Sequence, residues 1–207
     1  VRTSARKLTK QDLAGFFADY RSAFPDWDVE HDVVLVRSHG LLEQRIAFEA
    51  LRSGAYRPSC AVYVRPADAQ LLFRFLDVKH REVRPREHTR KWPLVLKAME
   101  EQYEPPIRAL LSAADVLRRA EEEATRDSIS NVNLATGLAV LNAHLERTDR
   151  ALDLCMRIDD MLENLGRPPA DWEVERAQLA NRLRDALQAG RHQALLEELA
   201  ARVPRAR

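Results

Sequence analysis

The hydrophobic period of this chain changes once, near Trp92, and that switch limits the fold more than any single motif does. Before it, apolar residues mostly alternate with polar ones; after it, they recur every three or four positions to the end. A chain that runs strands first and helices afterwards belongs to the α+β class. The expected division is a sheet domain over residues 1–90 and a helical bundle over 91–207, or one continuous domain of the same order.

An opening helix precedes the strands. Thr9 can cap it, and Leu13, Phe16, Phe17 and Tyr20 recur at helical spacing until Pro25-Asp26 end it. From Trp27, the apolar Trp27, Val29, Val33 and Leu35 alternate with Asp28, Glu30 and Asp32, which predicts one strand with His31 on its apolar side. Ser38-His39-Gly40 signals a turn. Leu42, Ile46, Phe48 and Ala50 then alternate with Glu43, Arg45 and Glu49, and after Ser53-Gly54 a third run sets Tyr56, Cys60, Val62 and Val64 against Arg57, Ser59 and Tyr63. Pro58 cannot donate to a ladder, so the start of the third run belongs at an edge or bulge. Residues 67–78 fit both periods, and the helical fit is preferred. The sheet is therefore expected to be antiparallel with three or four strands.

Beyond Trp92, Pro93 suits a first helical position and Pro105-Pro106 separate the next segment, whose Ile107, Leu110, Leu111, Ala114 and Leu117 share a face. Ser130 is placed to cap a helix carrying Leu134, Leu138, Leu141 and Leu145. Thr148 is placed to cap another that Gly166 ends, Asp171 and Gly190 bracket a third, and a last one covers 193–203. Four or five helices with short connections pack as a bundle.

Composition narrows function by exclusion. The charges nearly cancel at a formal +1, so the molecule as a whole lacks the excess of a general nucleic-acid binder. They are unevenly spread: 17 basic residues face 12 acidic ones through Trp92, and 16 face 20 after it. Only 6 glycines occur and none forms a phosphate-cradling motif. No apolar stretch is long enough to span a bilayer. The polar first ten residues carry no secretory signal, and Cys60 and Cys155 lie in separate apolar runs as buried thiols rather than a disulfide pair. A cytoplasmic setting fits these features.

Candidate binding residues fall in two groups. Arg45, Glu49 and Arg57 occupy wet positions of adjacent strands and give a polar sheet face of alternating sign, able to dock a charged protein or to satisfy itself by cross-strand pairing. Lys79, Arg81, Arg84, Arg86, Arg90 and Lys91 crowd thirteen residues that also hold His80 and His88. Such arginines suit carboxylate or phosphate contacts, but Glu82 and Glu87 dilute the field and the nearest ring is Trp92, which packing explains. The plainer account of that stretch is a solvated connector. Metal binding finds no support in spacing: His80, Glu82, Glu87 and His88 match no ligand pattern, and Asp159, Asp160 and Glu163 have no Glu-x-x-His partner. A dispersed enzyme site would have to draw on His31, His39, Glu43 and Cys60.

The succession of a helix, Val33-Val34-Leu35-Val36-Arg37, Gln44-Arg45-Ile46-Ala47-Phe48 and Tyr56-Arg57-Pro58 resembles small bacterial domains of unknown function from toxin-immunity and defence loci, over residues 8–80. From Asn133 to Asn164, the helix pair with Ala139, Leu141, Asn142, Arg150-Ala151-Leu152 and Cys155 resembles a tetratricopeptide hairpin without that family's Trp, Gly and Pro positions. The first likeness implies a non-enzymatic cytosolic protein-binding module of the immunity or defence-accessory kind. Its expected partner is another protein, acidic in character, with no catalytic residues, cofactor, metal or membrane involved. A nucleic-acid accessory role for residues 79–91 and the dispersed enzyme site stand as the alternatives.

Overall fold

The computed structural model describes residues 8–77, 79–127 and 131–202. Helix α1 spans Lys10–Ala23 and opens with a capping box. The Thr9 hydroxyl accepts from the Asp12 N–H at 3.1 Å and the Asp12 carboxylate accepts from the Thr9 N–H at 2.9 Å. Five antiparallel strands follow in spatial order: β1 (Asp28–Glu30), β2 (Val34–His39), β3 (Leu42–Ala50), β4 (Tyr56–Val64) and β5 (Ala69–Phe75).

Two departures from the expected pattern raise the strand number from three or four to five. The run from Trp27 is not one strand, because His31 and Asp32 both adopt left-handed backbone (φ 50° and 64°) and reverse the chain between β1 and β2. His31 is thereby exposed in a turn instead of facing the core. The second departure is that residues 69–75 form β5, not a helix. Between the pairs Val62↔Leu72 and Tyr63↔Gln70 the register shifts, leaving Leu71 as an extra residue on β5. The bulge yields three consecutive apolar residues, and that run imitates a helical face.

Pro58 is placed as anticipated. Tyr56 exchanges both backbone hydrogen bonds with Val83, so β4 points its Tyr56 N–H away from β3, and two residues on the Pro58 nitrogen points the same way. Pairing with β5 begins only at Ser59, so the missing donor faces no partner strand.

One sheet face carries every helix layer. Near its Tyr56 end, α1 and α2 (His88–Gln102) build a core around Phe17, Tyr20, Leu35, Ile46, Tyr56 and Met99. Near its Val64 end, the remaining helices build another around Leu42, Val62, Leu72, Leu117, Leu138 and Leu154. Those helices are α3 (Ala113–Asp127), α4 (Val132–His144), α5 (Thr148–Glu163), α6 (Asp171–Gln188) and α7 (His192–Arg202). Six helices thus follow the sheet among the described residues, not four or five.

Several helix starts differ from expectation. Pro93 lies inside α2, which begins at His88 after a short 3-10 turn, Pro85–Glu87, so the division drawn at 90/91 falls within a helix. Asn131 caps α4 by accepting from the Asn133 N–H, while Ser130 lies outside the described residues. Arg147 holds the cap position of α5 without a side-chain bond, and Thr148 is the first helical residue. The α6 start is held by Glu173, which accepts from the Ala170 N–H at 2.7 Å and pairs with Arg167 at 2.7 Å.

A polar seam crosses the covered face between the two cores, formed by Arg37, Gln44, Cys60 and Arg74 on β2 to β5. Arg37 donates to Gln44 at 3.1 Å and to the Ile107 carbonyl at 2.7 Å, fixing the segment that carries the chain from α2 to α3. Arg74 pairs with Glu123 of α3. The other cross-layer tie is a buried chain of hydrogen bonds. Tyr20 and Tyr56 hydroxyls meet at 2.8 Å, Tyr56 meets His88 Nδ1 at 2.9 Å, and His88 Nε2 meets the Asp19 carboxylate at 2.8 Å.

Two stability predictions follow from this packing. An added Cβ at Gly137 of α4 would lie 2.7 Å from Leu71 Cδ2 and 3.0 Å from Ala69 Cβ. Leu71 can swing aside, but the Ala69 Cβ is fixed to the backbone of β5. Gly137→Ala should therefore lose about 1–3 kcal/mol to overpacking, more than the roughly 1 kcal/mol that helix propensity returns, and lower the urea midpoint; a raised midpoint would contradict this packing. Tyr56→Phe leaves Tyr20 and His88 each short of a partner and should lose about 1–3 kcal/mol, measured by the same titration.

Candidate interaction surface

Side chains alternate across a sheet, so the registers that place Leu35, Ile46 and Cys60 under helices place their neighbours on the opposite face. Two cross-strand rows span that face from β1 to β5. One reads Asp28, Val36, Arg45, Ala61, Phe73; the next reads Glu30, Val34, Ala47, Ser59, Phe75. None of these ten side chains belongs to either core. The face is open.

Its chemistry is concentrated on β3 to β5. The Arg45 guanidinium lies 4.2 Å from the centre of the Tyr63 ring and bonds Glu43 at 2.5 Å and Asp68 at 3.3 Å. Arg57 and Arg81 both lie over the Phe75 ring, at 4.1 and 4.5 Å. Arg57 also pairs with Glu49 at 2.6 Å, whereas no carboxylate pairs with Arg81 among the described residues. Phe73 packs edge-on against Phe75 at 4.7 Å and remains 39% exposed. Each stacked guanidinium contributes on the order of 0.5–1 kcal/mol at such exposed sites. Between the aromatic margin and the acidic margin of β1 the two rows carry short side chains apart from Arg45, and Val36 and Ala61 are 2% and 7% exposed although no helix among the described residues covers them.

The sequence groups are partly united here. Arg45, Glu49 and Arg57 share this face, and Arg81 joins them because the Val83–Tyr56 bridge holds the connector in the sheet position that β5 vacates. Lys79, Arg84, Arg86, Arg90 and Lys91 are not brought onto the rows: Lys79 precedes Arg81 in the connector, Arg84 and Arg86 are exposed at the 3-10 turn, and Arg90 and Lys91 pair with Glu87 in the first turn of α2. Trp92 is not the nearest ring to the positive charge: Arg45 lies over Tyr63, and Arg57 and Arg81 lie over Phe75, which packs against Phe73. Their alternation along β5 was visible, but assigning residues 67–78 to a helix scattered it.

The groups considered for chemistry are kept apart. Glu43 lies on the open face, His39 and Cys60 on the covered one, and His31 in the β1–β2 turn. His80 pairs with Asp77 at 2.9 Å and His88 with Asp19, so the two histidines turn to different acids. Asp159 pairs with Arg184 at 2.6 Å. Among the described residues, no three metal-binding side chains cluster. The Tyr20–Tyr56–His88–Asp19 chain has the order of an acid–base relay and was not anticipated. Both hydroxyls are buried and Phe16 packs 4.5 Å from His88, so the chain meets solvent at the half-exposed Asp19 carboxylate. It joins layers. No helix among the described residues is long and apolar enough to cross a membrane. Comparison with protein-family models, curated proteins and solved structures finds no match to this chain.

Burial pushes the Cys60 thiol up to about 12, against the weaker opposing pull of the Gln44 hydrogen bond, and burial pushes Cys155 up to about 12 as well. Neither is a nucleophile near neutrality. Both should resist iodoacetamide at pH 8 in the folded protein and react once urea unfolds it; prompt native labelling would contradict their placement. Because the unfolded chain ionises these thiols at the ordinary value near 9 and the folded one does not, stability should fall as pH rises from about 9 towards 12.

Proposed function

We propose that this protein is a non-catalytic protein-binding module that works through the open face of its sheet. The observation that carries the reading is a surface that no helix among the described residues covers, on which three arginines lie over the aromatic rings of Tyr63 and Phe75. Interface hot spots are rich in Arg and aromatic side chains, which combine a large apolar area with few free torsions. The short Val34 and Ala47, both part-exposed, leave a shallow strip between the margins for another surface to approach. Two features favour a protein over a nucleic acid. Arg45 and Arg57 already hold carboxylates, and Asp28, Glu30, Glu43, Glu49 and Asp68 lie on or beside the same face. A phosphate chain would meet this negative charge along its path. The immunity or defence-accessory role suggested by residues 8–80 is part of this proposal, since such a protein acts by occupying its partner rather than by turnover.

A photo-crosslinking residue at Phe73 should give a discrete protein adduct in the native cell, and the pair Arg57→Glu and Arg81→Glu should abolish it while lowering the thermal midpoint by only a few degrees. The same crosslinker at Met156, exposed on α5, serves as the comparison. Adducts from Met156 alone, or tight salt-resistant binding of single-stranded oligonucleotides through Phe73, would overturn the reading.

A further inference from the structure

The two margins of the open face are opposite in character. Asp28 and Glu30 stand on β1, at one edge of the sheet, and form no salt bridge among the described residues. Across the same two rows, at the other edge, stand Phe73 and Phe75, with Arg57 and Arg81 over Phe75. The geometry points to a second copy of this chain as the occupant of this face, the two sheets packing face to face about a two-fold axis parallel to β3. This rests on the reading of the open face as a protein-binding surface and names its partner.

The axis direction follows from charge. A two-fold axis running across the strands would lay β1 on β1 and bring acid to acid. An axis along β3 instead lays each β1 over the other copy's β5, so that Glu30 meets the arginine pair on Phe75 and Asp28 meets Phe73. Both contacts occur twice, as an isologous interface requires. The centre is equally consistent: Val36 comes over Ala61, Val34 over Ser59, and Ala47 over its own copy. These short side chains allow the spacing of about 10 Å at which sheets pack face to face. Arg45, the charge nearest the axis, leans onto Tyr63 and is bonded to Glu43 and Asp68, so two like cations are not forced together. Five strands of three to nine residues, at about 4.8 Å spacing and about 3.4 Å per residue, present about 550 Å² per copy, hence about 1,100 Å² in all, where specific interfaces begin. A dimer of modest strength, weakened by salt, is the expected result.

The isologous geometry permits a charge-swap test in which two defective variants repair each other. In E30R, cations meet the arginine pair; in R81E, an acid on Phe75 meets Glu30. Each variant alone should be monomeric by light scattering at concentrations where the wild type has twice the 23.7 kDa chain mass, a loss of at least about tenfold in self-affinity. Mixing the two restores unlike charges at both symmetry-related contacts and should return the mass to that of a dimer. Thermal melts establish that each variant is folded. A wild type that stays monomeric at 200 µM, a dimer indifferent to both substitutions, or a mixture that stays monomeric would overturn self-pairing. If the wild type is monomeric while the Phe73 adduct still forms with a different protein and is lost with the arginines, the second copy is wrong and the binding surface stands. If neither appears, both fall.

Discussion

Among the described residues, the helices that pack on the sheet all pack on one face of it, and α5 and α6 pack in turn on α4. That face is too long for one helical layer, and the chain covers it with two: α1 with α2 at the Tyr56 end, and the five-helix group at the Val64 end. Where the layers abut, the sheet turns polar through Arg37, Gln44, Cys60 and Arg74. Arg37 is the keystone of this join. Its guanidinium is held between Gln44 and the carbonyls of the crossing segment and stacks 4.9 Å from Trp27. A planar cation with five donors can bond several carbonyls at once, and an ammonium could not match that geometry. The seam determines how the bundle sits, because α3 begins directly after the segment that Arg37 grips.

The concentration of helices on one side leaves the other side to look after itself. An uncovered sheet usually carries polar residues at every outward position. Here two outward positions of β5 are phenylalanines, Phe73 and Phe75, and the arginines that lie over Phe75 shield its ring from water while keeping their charge in it. The result is a surface compatible with an isolated chain yet rich in the groups that favour association. Glu43 is the counterweight, buried beside Arg45 and Arg65 so that the face is not uniformly cationic.

Much of this architecture could be read from residue order, and the failures have specific causes. The start of α1 was legible because Thr9 and Asp12 spell out a reciprocal cap, and β3 and β4 because their alternation is nearly unbroken. The β1–β2 reversal was hidden because left-handed backbone normally announces itself with Gly or Asn, and here it falls on His31 and Asp32. The bulge at Leu71 concealed β5 by inserting one residue into a period of two. The candidate surface was half visible: Arg45, Glu49 and Arg57 follow from alternation, but their aromatic partners depend on which strand lies beside β4. Arg81 lies more than twenty residues further along the chain than Arg57, and only the Val83 bridge makes them neighbours.

The buried chain from Tyr20 to Asp19 has a direction. With an uncharged imidazole, every atom finds a partner only if Tyr20 donates to Tyr56, Tyr56 donates to Nδ1 of His88, and Nε2–H donates to the Asp19 carboxylate. A proton on Nδ1 would reverse the first two bonds and leave the Tyr20 hydroxyl hydrogen pointing at nothing. In the uncharged form the fold thereby favours one tautomer and lines up several bond dipoles from the interior towards the rim of α1, so that the electrostatic potential at Asp19 depends on hydroxyls several ångströms beneath it.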